Sequence, residues 1–111
     1  MENELPYENP EAMESELIAQ IREKGLDDPE SQELLKNWII ANEELIEKSP
    51  DPDSRLKFNL VRARMYFQAG CLDESFENYE DALDQAFHEQ REDLIQAITR
   101  EMDEAEATLN Q

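Results

Sequence analysis

The segment that decides the fold is RLKFNLVRARMYFQAGCLDESFENYEDALDQAF, Arg55 to Phe87. It holds two apolar helical patterns parted by a glycine. In the first, Leu56, Phe58, Leu60, Val61, Ala63, Met65, Tyr66, Phe67 and Ala69 go most of the way round the helix. Such a helix is expected to be central and contacted on two sides. Gly70 stops it, because glycine enters the left-handed region freely. The second pattern starts near Asp73 and sets Phe76, Tyr79, Leu83 and Ala86 on one face. The first half also lacks any acidic residue from Arg55 through Leu72. That is unusual in a chain with 29 Asp and Glu against 10 Lys and Arg, and four of those ten (Arg55, Lys57, Arg62, Arg64) fall there.

The same punctuation extends outward. In NPEAMESELIAQIREKG, Asn9 is a capping residue, Pro10 suits the first helical position and Gly25 the stop. Met13, Leu17, Ile18 and Ile21 make its stripe. DDPESQELLKNWIIANEELIEKSP repeats the device, with Asp28 as cap, Pro29 opening and Pro50 following the end. Its stripe is Leu34, Leu35, Trp38, Ile39, Ala41, Leu45 and Ile46. SPDPDS is a rigid turn, with Asp53 or Ser54 as the next cap. Leu94, Ile95, Ile98, Met102 and Ala105 belong to a last helix. No Gly or Pro separates Ala86 from Arg91, yet a continuous helix from 73 to 108 would leave its second half little to pack on, so a tight turn is expected at AFHEQ. The expectation is an all-α fold of five helices in antiparallel hairpins. Residues 1–8 read as an acidic tail and 9–111 as a single helical domain.

Bulk properties limit the function. A formal net charge of −19 repels a phosphate backbone and an anionic bilayer, so neither nucleic acid nor membrane is expected as partner. It attracts basic proteins. Cys71 is the only cysteine, which excludes an intramolecular disulfide. No apolar run approaches a membrane span, and MENELPYENP has no secretory core, so the expected location is cytoplasmic.

Catalytic and metal-binding sets do not assemble from these residues. His88 is the sole histidine, which removes paired-histidine metal motifs and the Glu-x-x-His pairs of di-iron bundles. Cys71 and His88 share no local signature. DPDS lacks the glycine and glutamate of a calcium loop. Two glycines give no phosphate-cradling loop. The expectation is a chain without catalysis, metal or cofactor.

The central segment resembles a tetratricopeptide repeat, whose pattern runs W-x2-L-G-x2-Y, then A-x3-F, then P. Ala63 takes the first small position, Tyr66 the aromatic one, Gly70 the turn, Ser75 the second small position, Tyr79 the second aromatic and Ala82 the third small one. Asn59, Arg62 and Phe87 depart from the family's Trp, Leu and Pro. The resemblance covers residues 55–88. It implies helical hairpins stacked as a short right-handed solenoid, with a terminal capping helix at about 90–108. It also implies a groove lined by the first helix of the hairpin, with Lys57, Leu60, Arg64, Phe67 and Gln68 at groove-facing positions. Tyr66, Tyr79, Ala63, Ala82 and Trp38 are assigned to packing. The implied function is a protein-interaction module whose basic and apolar strip holds an acidic or C-terminal carboxylate segment. Two other readings stand beside it. Arg62 or Arg64 pairs internally with Glu43, Glu44, Glu47, Glu77 or Glu80, relieving repulsion. Alternatively the carboxylate-rich surface is the active part, as an acidic decoy or a chaperone for a basic partner. The open ends of so short a stack also leave a homodimer in play.

Overall fold

The computed structural model describes residues 10–48 and 51–110. Among them every regular element is helical: α1 (Pro10–Lys24), α2 (Pro29–Lys48), α3 (Ser54–Ala69), α4 (Leu72–His88) and α5 (Glu92–Leu109). Successive helices α1 and α2, α3 and α4, and α4 and α5 pack on each other, and α3 also packs on α1. The molecule measures 45 × 36 × 19 Å, and its shortest dimension is the thickness of two helices. The expected tail 1–8, the cap at Asn9 and the stop at Pro50 lie outside the described residues.

Punctuation explains most helix ends. Asp28 Oδ2 accepts from the backbone N–H of Glu30 at 3.0 Å and of Ser31 at 3.4 Å, so it caps α2 as its position predicts. Gly25 and Gly70 end α1 and α3 at φ +95° and +87°. Asp53 departs from expectation. It sits at the N-cap position of α3 without capping it. Its carboxylate instead accepts two hydrogen bonds, at 2.8 and 3.0 Å, from Arg91 Nη1 at the start of α5. Helix α4 begins at Leu72, and Asp73 lies in its first turn, where a negative charge meets the positive end of the helix dipole. The turn between α4 and α5 forms without glycine. Gln90 takes the left-handed conformation, φ 57°, and the N–H of Arg91 bonds the carbonyl of Ala86 at 2.9 Å.

Two apolar clusters share α3 as their common wall. Leu17, Ile21, Trp38, Phe58, Met65, Tyr66 and Ala69 fill the space among α1, α2 and α3. Leu56, Ala63, Tyr79, Ala82, Ala86 and Ile98 fill that among α3, α4 and α5. Small residues let α3 and α4 close tightly. Ala63, Ser75 and Ala82 are fully buried, and Ser75 Oγ donates to the carbonyl of Ala63 at 2.7 Å. That bond satisfies a hydroxyl that burial would otherwise penalise. Leu45 breaks the pattern. It lies one turn beyond Ala41 on the line of Trp38, so periodicity assigns it to the core, yet it is 48% exposed.

Candidate functional site

Leu45 is exposed because it faces a groove. One cavity of about 510 Å³ is lined by Pro10, Glu11 and Glu14 of α1, Asn42 and Leu45 of α2, and Val61, Arg64 and Gln68 of α3. A second, of about 230 Å³, continues it along α3 past Val61 to Phe58, Lys57 and Ser54, with Ile46 on the α2 side. Asn42, Leu45 and Val61 belong to both. At the far end of α3 the walls are tied together, because Arg22 Nη1 of α1 donates to the carbonyl of Gln68 at 2.6 Å.

Helical spacing places the α3 wall. Lys57, Val61, Arg64 and Gln68 step by four, three and four residues, which keeps them on one line of the helix. Three of the five residues expected to face a groove therefore line this one. The structure takes the other two elsewhere. Leu60 packs with the cluster among α3, α4 and α5. Phe67 meets Phe76 of α4 edge to face, with ring centroids 6.5 Å apart. Six of the lining side chains, Pro10, Glu11, Glu14, Asn42, Leu45 and Ile46, stand on α1 and α2, and the resemblance points to α3 alone. The Val61 position was open to the sequence through its spacing from Lys57 and Arg64. The α1 and α2 contributions depend on how helices distant in sequence meet, and no local signal carries that.

The charges of the acid-free helix are largely spoken for within the fold. Arg64 makes a two-pronged pair with Glu101 of α5, Nε to Oε2 at 2.7 Å and Nη2 to Oε1 at 2.8 Å. The Tyr79 hydroxyl donates to the same Oε2 at 2.6 Å. These contacts have the expected effects on protonation. Arg64, and then Tyr79, hold the Glu101 carboxyl below the usual range against the opposing effect of burial. Burial first, then Glu101, pushes the Tyr79 phenol well above its ordinary value. Lys57 Nζ lies 3.6 Å from Asp51, and Arg55 lies 4.0 Å from Glu43. The Arg62 guanidinium sits over the Phe58 ring, 5.6 Å from its centroid. Of the five glutamates expected to receive Arg62 or Arg64, none does. Glu101 takes Arg64 because α5 folds back across the α3–α4 hairpin.

The opposite wall carries the unbalanced charge. Glu11 and Glu14 have no ion-pair partner within 4.0 Å among the described residues. Burial, followed by the neighbouring charge of Glu11, lifts the Glu14 carboxyl above its usual value. Elsewhere among the described residues no three His, Cys, Asp or Glu side chains gather as a metal-ligand set, and no helix is long and apolar enough to cross a membrane. Burial, then Glu74, raises the Cys71 thiol above its ordinary value, which makes it a poor nucleophile. Set against family models, curated proteins and solved structures, the chain has no significant match.

Proposed function

We propose that this chain is a non-catalytic, cytoplasmic protein-interaction module, a short stack of tetratricopeptide-like hairpins that holds a segment of a protein partner in the groove between α1, α2 and α3. The observation that carries the reading is Leu45. It is a large aliphatic side chain, on the apolar line of its helix, left half exposed inside a concavity. An uncovered apolar side chain in a concave, polar-rimmed site marks a place where an apolar group of a partner gains by docking. Val61 extends the apolar surface along α3, while Lys57 and Gln68 supply polar contacts at the rim. Leu60 and Phe67 support the site from behind by fixing α3 against its other neighbours.

The test is selection of phage-displayed random peptides on the full chain, followed by affinity measurement of the recovered peptides. Replacing Leu45 with Arg, or Val61 with Arg, should weaken binding by about tenfold or more, as loss of a central anchor does. Circular dichroism is the control that both variants remain helical. Peptides that bind wild type and both variants equally, and that moderate salt releases, would place recognition on the acidic surface and end the groove reading.

A further inference from the structure

The fold reverses the charge that the acid-free helix suggests for a ligand. From the geometry we infer that the groove takes a segment carrying an apolar side chain next to a Lys or Arg, the apolar group against Leu45 and Val61 and the cation against Glu11 and Glu14. This inference rests on the groove reading and adds the chemistry of the occupant.

The lining divides cleanly by charge. On the α3 side, Arg64 is held by both oxygens of Glu101. An acidic ligand would have to displace a three-bonded carboxylate that is already in place. Lys57 is 3.6 Å from Asp51, which offsets part of its charge at the rim. On the α1 side, Glu11 and the half-buried Glu14 face the same cavity with no ion-pair partner within 4.0 Å among the described residues, because Arg64 across the cavity is engaged by Glu101. Two carboxylates one turn apart repel each other, and burial adds to that penalty for Glu14. A cation from the ligand relieves both effects at once. The low dielectric of a filled groove would strengthen that pair compared with one on an open surface. Long-range attraction acts in the same sense, since a net charge of −19 draws a basic segment and repels an acidic one.

The experiment sorts recovered peptides by their dependence on Leu45 and then reads their charge. Peptides that lose binding with Leu45→Arg should carry Lys or Arg close to an apolar residue. Their affinity should fall about fivefold at low salt for the double variant Glu11→Gln/Glu14→Gln, the scale of a partly exposed ion pair. A charge exchange, Glu14→Lys with the peptide's cation replaced by Glu, should restore part of the loss. Leu45-dependent peptides that are acidic, or indifferent to Glu11→Gln/Glu14→Gln, overturn this inference and leave the groove standing. Failure to recover any Leu45-dependent peptide overturns the groove itself. If sedimentation shows wild type self-associating and Leu45→Arg remaining monomeric, the occupant is a second copy of the chain, and the inference fails on that count.

Discussion

Removing the carboxylate of Glu101 should loosen α5 from the α3–α4 hairpin, and the size of the effect follows from three hydrogen bonds. Two come from Arg64 and one from Tyr79. The Arg64 side chain is 48% exposed and that of Glu101 29%, so their pairing is screened by solvent and contributes no more than about 1 kcal/mol. The Tyr79 hydroxyl belongs to a residue only 3% exposed. A hydrogen bond from it to a charged acceptor contributes about 1.5 kcal/mol, the low end of its class. Glu101→Ala should therefore destabilise by about 2 kcal/mol, and Glu101→Gln, which keeps an acceptor for Tyr79 but loses the charge, by about 1 kcal/mol. Urea unfolding at pH 7 reads both values, and the Ala variant should melt roughly 10 °C below wild type.

The dependence on pH gives an independent check. The folded-state pKa of Glu101 lies below its ordinary value near 4.5. Its contribution is complete above that unfolded value and disappears as pH falls through the lower folded one. The stability gap between wild type and Glu101→Gln should thus hold from pH 7 to pH 5 and close in more acidic solution. A Glu101→Ala variant within about 0.5 kcal/mol of wild type, as ordinary surface changes are, would refute the account of α5 as held by this contact. So would a gap that stayed constant down to pH 3.

Backbone and packing supply further tests. Gly70→Ala puts a Cβ on a residue at φ +87° with open space around it, so the cost is conformational, about 1 kcal/mol in chemical denaturation. Gln90→Gly should do the opposite, stabilising by up to about 1 kcal/mol by relieving the left-handed strain at φ 57°. Ser75→Ala should cost about 1 kcal/mol through loss of the hydroxyl's hydrogen bond to the Ala63 carbonyl. Ala63→Leu, which forces α3 and α4 apart at a fully buried position, should cost about 2–3 kcal/mol and broaden the thermal transition. The Ser31 hydroxyl is buried without a hydrogen-bond partner among the described residues, so Ser31→Ala should leave the melting temperature unchanged or raise it.

Local features told most of the secondary structure. Capping at Asp28 and the two stop glycines are chemistry within a few residues, and the sequence states them directly. Trp38, Tyr66 and Tyr79 are buried because large apolar surface at helical spacing has nowhere better to go. Contacts between distant segments were not legible. Asp53 has the residue type and position of a cap, but Arg91 arrives from 38 residues away and offers a charged donor pair that a single backbone N–H does not match. The partner of Arg64 stands 37 residues on, beyond every glutamate that lay near in sequence. Leu45 reads as core from its spacing alone, and the groove that opens between α2 and α3 leaves it uncovered.

The cations of the acid-free helix go to several parts of an otherwise acidic chain. Arg55 meets α2, Lys57 meets the segment before α3, Arg64 meets α5, and Arg62 lies over a ring of its own helix. Three of the four are thus spent on carboxylates of three different parts of the chain. The central helix gathers around itself the elements whose negative charge would otherwise push them apart. An acid placed on α3 would compete for those same cations and sit closest to every other carboxylate, which is reason enough for its exclusion. Arg64, engaged by both oxygens of Glu101, is the α3 cation least open to a ligand, which shifts the charge balance of the groove toward its other wall. Glu11 and Glu14 set its sign, and a basic segment is the one it should prefer.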